Sequence, residues 1–368
     1  MHQKKFLIIF LFILLIILLS GCTELFSSND KTTRYKDTNA KISYDITYGV
    51  KINCTGTGRH EIIYSCDTPE VLIGSASISN ILNDNYTNLS NQATFNDFKF
   101  WNISRNGKCV NYELGMNVTV VSESFNVNDL NGNNALTLDE IAKNHPDKIK
   151  NYCKKQSNKT LIFINPDDSD IKTQAEQIKQ KADTNNSFII SKELFKWLKT
   201  NTEYKTHILK NDVQPAKLTF NKKSGDCDDL TYLYLSLCRS INIPARFIRG
   251  FLVDGNIRAV SHAWAEVFVG INKNNGWIPV ECAGDNKDEN KIETEIHQNF
   301  AFESADHLRL FVDDGSNESI NLSLTGIKYS SDNKVNFETP VFFADVKNYN
   351  VINKKDLEID DSNIRTLK

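Results

Sequence analysis

The stretch Ser224-Gly225-Asp226-Cys227-Asp228-Asp229 decides how this chain is read. Behind it, Leu230, Leu233, Tyr234, Leu237 and Ile241 fall on one stripe at helical spacing. Pro244 closes that helix, because proline biases the preceding residue away from helical geometry. Cys227 is therefore predicted at a helix N-terminus, where unpaired backbone N–H groups and the helix dipole favour a thiolate. Gly225 allows a tight turn before it, and Asp226, Asp228 and Asp229 read as helix-capping groups. Downstream, residues 245–253 read as a strand with Asp254-Gly255 as its turn, and residues 261–269 alternate as a second strand. Asn274-Asn275-Gly276 is a hairpin signal, and Trp277-Ile278-Pro279-Val280-Glu281 follows it. An antiparallel pairing that turns between residues 271 and 272 puts His262 opposite Glu281. A carboxylate beside an imidazole orients it and stabilises its protonated form, and such an imidazole can draw the proton from Cys227. Asp285 is the rival third group, because its pairing with His262 also turns inside the connecting loop.

The order and spacing of these pieces resemble the transglutaminase-like superfamily, a branch of the papain-like thiol enzymes. The matching text is Leu218-Thr219-Phe220, Gly225-Asp226-Cys227, the helix over 230–237, Ile243-Pro244-Ala245-Arg246, Gly250, His262-Ala263-Trp264 and Trp277-Ile278-Pro279-Val280-Glu281. An upstream helix carrying Trp197, then Tyr204, is similar to the family's lead-in, and the resemblance spans about residues 168–285. It implies that Cys227 is the nucleophile, His262 the general base and acid, and Glu281 the third member. The family most often has aspartate followed by proline where this chain has Glu281-Cys282, so the extra methylene asks for a slightly different strand position. The resemblance further implies acyl chemistry on an amide, peptide or isopeptide bond through a thioester, hydrolysis ahead of crosslinking, and no required cofactor. Oxyanion donors would be the Cys227 N–H and one further group. Trp264 is expected to pack beneath the site, and Arg246, Arg249 and His307 to be structural. The competing reading is an inactive scaffold of the same type that binds an envelope partner, although such members tend to lose the cysteine or histidine kept here.

The N-terminus sets the compartment. Lys4 and Lys5 precede an uncharged run over residues 6–19, about 21 Å long as a helix and short of the roughly 30 Å of a bilayer core. That suits a signal-peptide core, and Leu19-Ser20-Gly21-Cys22 resembles the lipobox of secreted lipoproteins, which implies lipid on Cys22. The alternative is an uncleaved anchor. Both readings place the chain on the outer face of the cell membrane. With 43 Lys+Arg against 46 Asp+Glu, no basic footprint for nucleic acid exists, and 40% hydrophobic residues give material for folded cores.

The expected class is α+β. Residues 1–21 form a signal peptide, 22–39 a tether, 40–128 a β-sandwich-like domain, 129–167 a helical connector, 168–345 the transglutaminase-like domain and 346–368 a polar tail. Ile42, Tyr44, Ile46 and Tyr48 alternate with polar residues, the mark of a strand with one buried face. Further strands are expected at 62–64, 71–73 and 117–121, and helices at 138–155, 171–182 and 191–200. Ile320, Leu322 and Leu324 alternate like a strand. Cys54, Cys66, Cys109 and Cys153 allow two disulfides in three connectivities, or buried thiols. A Cys238–Cys282 bond is a further possibility. Residues 129–140 fit the frame of an EF-hand loop, with Asp129, Asn131, Asn133, the Ala135 carbonyl and Glu140 as calcium ligands. Asn134 stands where that loop expects glycine, and no helix precedes it. The alternative there is a turn that caps the next helix.

Overall fold

The computed structural model describes residues 32–83, 85–90, 97–158, 160–207, 213–253, 255, 259–284, 291–323 and 327–368. The leader, Cys22 and Asp285 lie outside the described residues. The first six strands are β1 (Thr33–Ile52), β2 (Cys54–Asp67), β3 (Gly74–Leu82), β4 (Tyr86–Ser90), β5 (Asp97–Lys108) and β6 (Tyr112–Glu123). The helices α1 (Leu138–Asn144), α2 (Pro146–Tyr152), α3 (Ser169–Ala182), α4 (Ser187–Asn201), α5 (Ala216–Lys222) and α6 (Cys227–Ser240) follow. Then come β7 (Ala245–Leu252), β8 (Val260–Ile271), β9 (Gly276–Val280), α7 (Ile292–Asn299) and β10 (His307–Val312). The chain closes with β11 (Lys328–Ser331), β12 (Val335–Phe337), β13 (Val341–Ile359) and β14 (Arg365–Leu367).

The N-terminal part is two antiparallel sheets. One has the order β14-β13-β1-β6-β3; the other runs β11-β2-β5-β4, with β12 also on β2. Ile42, Tyr44, Ile46 and Tyr48 of β1 are buried as their alternation requires, in one core with Ile62 and Tyr64 of β2 and Trp101 of β5. This is the sandwich-like unit expected from the period-two pattern. A disulfide joins Cys54 at the start of β2 to Cys109 just after the neighbouring β5, with Cα atoms 5.8 Å apart. Cys66 and Cys153 are free, as are Cys238 and Cys282.

Four expectations are corrected. Residues 33–39 are not tether but the start of β1. Residues 71–73 precede a strand that begins only at Gly74. Residues 317–323 are a helix rather than an alternating strand. The polar tail is the strand pair β13 and β14, and β13 runs along β1 inside the first sheet. Its outward face is solvated, and four register irregularities against β1 break the alternation that would have announced it. The C-terminal segment also returns to the sandwich through β11 and β12, so the sandwich is built from both ends of the chain.

The second unit centres on α6. Leu230, Leu233 and Leu237 are fully buried, but so are Tyr232, Tyr234 and Leu235, so the helix is enclosed on all sides rather than along one stripe. Two of its hydroxyls bond within the helix: Thr231 Oγ1 donates to the Cys227 carbonyl (2.6 Å) and Ser236 Oγ to that of Tyr232 (2.7 Å). Beside it lies an antiparallel sheet in the order β9-β8-β7-β10. Ala263, Ala265, Val267 and Val269 of β8 join the α6 residues in one core.

Candidate active site

Cys227 is the first residue of α6, as the glycine and proline signals require. Ser224 and Gly225 pair in parallel with Glu203 and Tyr204, which holds the approach to the helix. A side chain at Gly225 would lie 2.5 Å from the Asp229 Cβ, so only glycine lets this turn close on the helix. Asp229 returns its carboxylate to the Asp226 N–H (3.2 Å), an N-terminal cap of the expected kind.

His262 lies near the start of β8, and Glu281 follows directly after β9. Ala265 pairs with Val280, so Glu281 continues opposite Trp264 and not opposite His262. The hairpin closes with Ile271 on Gly276, and the register shift between Phe268 and Ile271 then brings Glu281 two residues closer to His262 along β8. Glu281 is thus a diagonal neighbour of His262 on the same face, a separation that long side chains can span. It does: His262 donates from Nε2 to Glu281 Oε2 at 2.6 Å. The glutamate, one methylene longer than aspartate, suits this register. The Cys227 thiol also bears on His262 and helps to raise the imidazole.

The surroundings fix both partners. Glu281 Oε2 also accepts from His307 Nε2 (3.1 Å), and Oε1 accepts from the Ala283 N–H (2.8 Å). Ser304 Oγ donates to His307 Nδ1 (3.0 Å), which leaves Nε2 to donate to the carboxylate. The fully buried Lys199 of α4 donates to the Ala283 carbonyl and anchors the segment after Glu281. Trp264 forms the floor. His262 stacks on it with centroids 5.8 Å apart, and His307 meets it edge-on at 4.7 Å. Its indole N–H donates to Glu303 Oε2 (2.9 Å), within a buried network in which Arg309 joins Glu303 to Glu266 and Arg246 pairs with Glu266. Arg249 reaches Asp67 of the sandwich (2.6 Å).

Electrostatics follow from this packing. Burial opposes a charge on His262. The adjacent Glu281 carboxylate and the hydrogen bonds that the imidazole makes with Cys227 and Glu281 outweigh burial and raise it to about 10. Burial likewise opposes the Glu281 charge, yet His262 and His307 hold its carboxyl well below the usual carboxylate range. The pair is therefore charged across the neutral range. Asp228, beside the sulfur in sequence, is pushed up to about 9 by burial and by the neighbouring carboxylates of Asp226 and Asp229.

Residues 172–282 match the model of the transglutaminase-like superfamily. Those residues form a transglutaminase-like domain. It contains Cys227, His262 and Glu281 together. Several solved structures are similar to parts of the chain. A proposed cysteine protease from Cytophaga hutchinsonii shares 13% identity over 86% of this chain and 92% of its own, at a TM-score of 0.46. The periplasmic domain of TgpA from Pseudomonas aeruginosa shares 11% over 74% and 99%, at 0.30. Red sea bream transglutaminase shares 10% over 60% and 45%, at 0.26. No curated protein matches the sequence.

His307, which the sequence reading left as merely structural, joins this cluster through Glu281. His307, from β10, reaches the His262 face over Gly250 of β7. Gly250 pairs with His262 on one side and, at a bulge, with Arg309 on the other. A Cβ at Gly250 would lie 1.9 Å from the Leu308 carbonyl oxygen, so glycine is what lets β10 approach. A lone histidine in sequence carries no sign of this.

The proposed calcium loop is organised differently from an ion cage. Asp129 accepts from the N–H groups of Asn131 (2.9 Å) and Asn133 (3.2 Å). Asn131 Nδ2 donates to the Ser362 carbonyl (2.6 Å). Glu140 closes a capping box on the N–H and hydroxyl of Thr137, both at 2.8 Å. Ala135 continues the turn, its N–H on the Gly132 carbonyl. The two charged groups are committed to a turn and a helix cap. This arrangement does not fit a cage in which the last carboxylate turns to the ion.

Proposed function

We propose that this protein is a thiol enzyme that opens an amide bond of a peptide-containing substrate through Cys227, His262 and Glu281. The observation that carries the proposal is the 2.6 Å contact between His262 Nε2 and Glu281 Oε2, together with Cys227 at the start of a buried helix, where it helps to raise the imidazole. The Cys227 sulfur attacks the carbonyl carbon and forms a tetrahedral intermediate. The Cys227 N–H, free of the helix ladder at its first turn, is one donor for the oxyanion. The C–N bond then breaks, the His262 proton passes to the leaving amine, and a thioester remains. Water, deprotonated by His262, attacks the thioester, releases a carboxylic acid and restores the cysteine. An amine in place of water would give a crosslink through the same thioester; the family resemblance favours water. Glu281 keeps the imidazole oriented throughout and stabilises its charged form whenever it holds the proton.

The lipobox-like Leu19-Ser20-Gly21-Cys22 supports attachment through Cys22 at the outer face of the membrane, with cell-envelope peptides or isopeptides within reach. Among the described residues no helix is long and apolar enough to cross a membrane. Incubating the purified chain with peptide-containing envelope material, followed by mass analysis, tests the reading. Fragments ending in a new carboxylate should appear with the parent and not with Cys227→Ala. Equal release by both proteins would remove the proposal.

A further inference from the structure

Behind the nucleophile lies a second cluster that the proposed chemistry does not use. His207 Nε2 is 2.5 Å from Asp229 Oδ2 and 3.9 Å from Asp226 Oδ2. One ligand atom from each of these three residues lies within 4.8 Å of the others. Tetrahedral sites with bonds of about 2.0–2.1 Å separate their ligand atoms by roughly 3.3 Å, a value these spacings bracket. Gln214 lies in the same place and is only 4% exposed. Its backbone N–H donates to Asp229 Oδ1 (2.6 Å). Its Nε2 is 2.8 Å from Asp229 Oδ2 and 3.3 Å from His207 Nε2.

Two buried acceptors stand out here. Among the described residues, seven buried side-chain polar atoms lack a hydrogen-bond partner, and Gln214 Oε1 and Asp226 Oδ1 are two of them. A buried acceptor without a donor is costly; Asp226 Oδ1 lies within the cluster of carboxylates and imidazole, while Gln214 directs its Nε2 to the cluster and leaves Oε1 at the other end of the carboxamide. Turning the Gln214 carboxamide over exchanges its oxygen and nitrogen. The oxygen then occupies the end of the side chain that faces Asp229 and His207, as a fourth ligand.

We propose that His207, Asp226, Asp229 and the Gln214 carboxamide form a site for one divalent ion of the zinc type. An imidazole with carboxylate and amide oxygens suits zinc better than calcium, which takes oxygen alone. The ion would bind the segment after Tyr204 to the first turn of α6, next to Cys227 but without using its sulfur. The test reads metal binding rather than turnover, so it stands or falls apart from the proposed reaction.

Zinc chloride is titrated by calorimetry into the chelator-treated full chain and into the Cys227→Ala, His207→Ala and Asp226→Asn variants. One zinc per chain is expected for the parent and for Cys227→Ala, with affinity weakened on the order of ten-fold or more in the other two. Melting of the unaltered chain should rise with zinc and fall back with chelator, a readout that needs no variant. Absence of zinc binding by the parent would overturn the site. So would loss of binding in Cys227→Ala alone, or retention of full affinity in both His207→Ala and Asp226→Asn.

Discussion

Glu281 is the residue on which the chemistry turns. The sequence reading expected it to face His262, yet it stands one diagonal away and reaches the ring through its extra methylene. Shortening it should therefore cost nearly as much as neutralising it. Glu281→Asp and Glu281→Gln are both expected to lower kcat by roughly two to four orders of magnitude, measured on a fluorogenic peptide or isopeptide amide. Full activity in Glu281→Asp would contradict the diagonal geometry. The pair also sets a pH dependence. The raised His262 stabilises the fold fully below its unfolded value near 6.5 and loses that contribution as pH rises through about 10. The lowered Glu281 contributes above its unfolded value near 4.5 and loses its share as pH falls below that. The melting difference between parent and Glu281→Gln should be greatest between about pH 4.5 and 6.5 and should shrink toward pH 10. A difference that grows with alkali would contradict this sign. Cys227, His262 and Glu281 were legible because spacing and neighbours agree. His307 was not, because it lies on a strand brought in from 26 residues beyond Glu281.

At the scale of elements, the site depends on how β7 meets its two neighbours. Gly250 admits β10 and with it His307 and Arg309. Gly250→Ala should therefore destabilise the chain by about 3 kcal/mol, read from chemical denaturation. Unchanged stability would mean that β10 can retreat without loss. His307→Ala removes one hydrogen bond to a charged group, so kcat should fall roughly ten- to hundred-fold with KM unchanged. His307→Gln, whose amide N–H can still donate, should recover part of it. A change confined to KM would place His307 in substrate binding instead of positioning. The hairpin was legible in Asn274-Asn275-Gly276, whose three residues all take positive φ. The bulge between Phe268 and Ile271 was not, since one displaced pair leaves no trace in an apolar strand buried on both faces.

The whole molecule is less sequential than its sequence suggests. The catalytic unit was legible from a dense run of motifs. The sandwich was legible only at β1, because irregular register and a solvated face hide β13. Since β13 pairs along most of β1, a chain ending at Pro340 should lose cooperative melting of the sandwich rather than shed a loose tail. Parent-like melting of that truncation would contradict the topology. Cys54 and Cys109 enclose 55 residues of sequence separation, so reduction should cost about 4 kcal/mol by loop entropy. The central claim remains the pairing of Cys227 with a charged His262. It is tested most directly by the alkylation rate of Cys227, followed by peptide mass mapping, in the parent and in His262→Ala. The account predicts rapid modification of the parent at neutral pH and markedly slower modification of His262→Ala. Equal rates in the two proteins at neutral pH would contradict it.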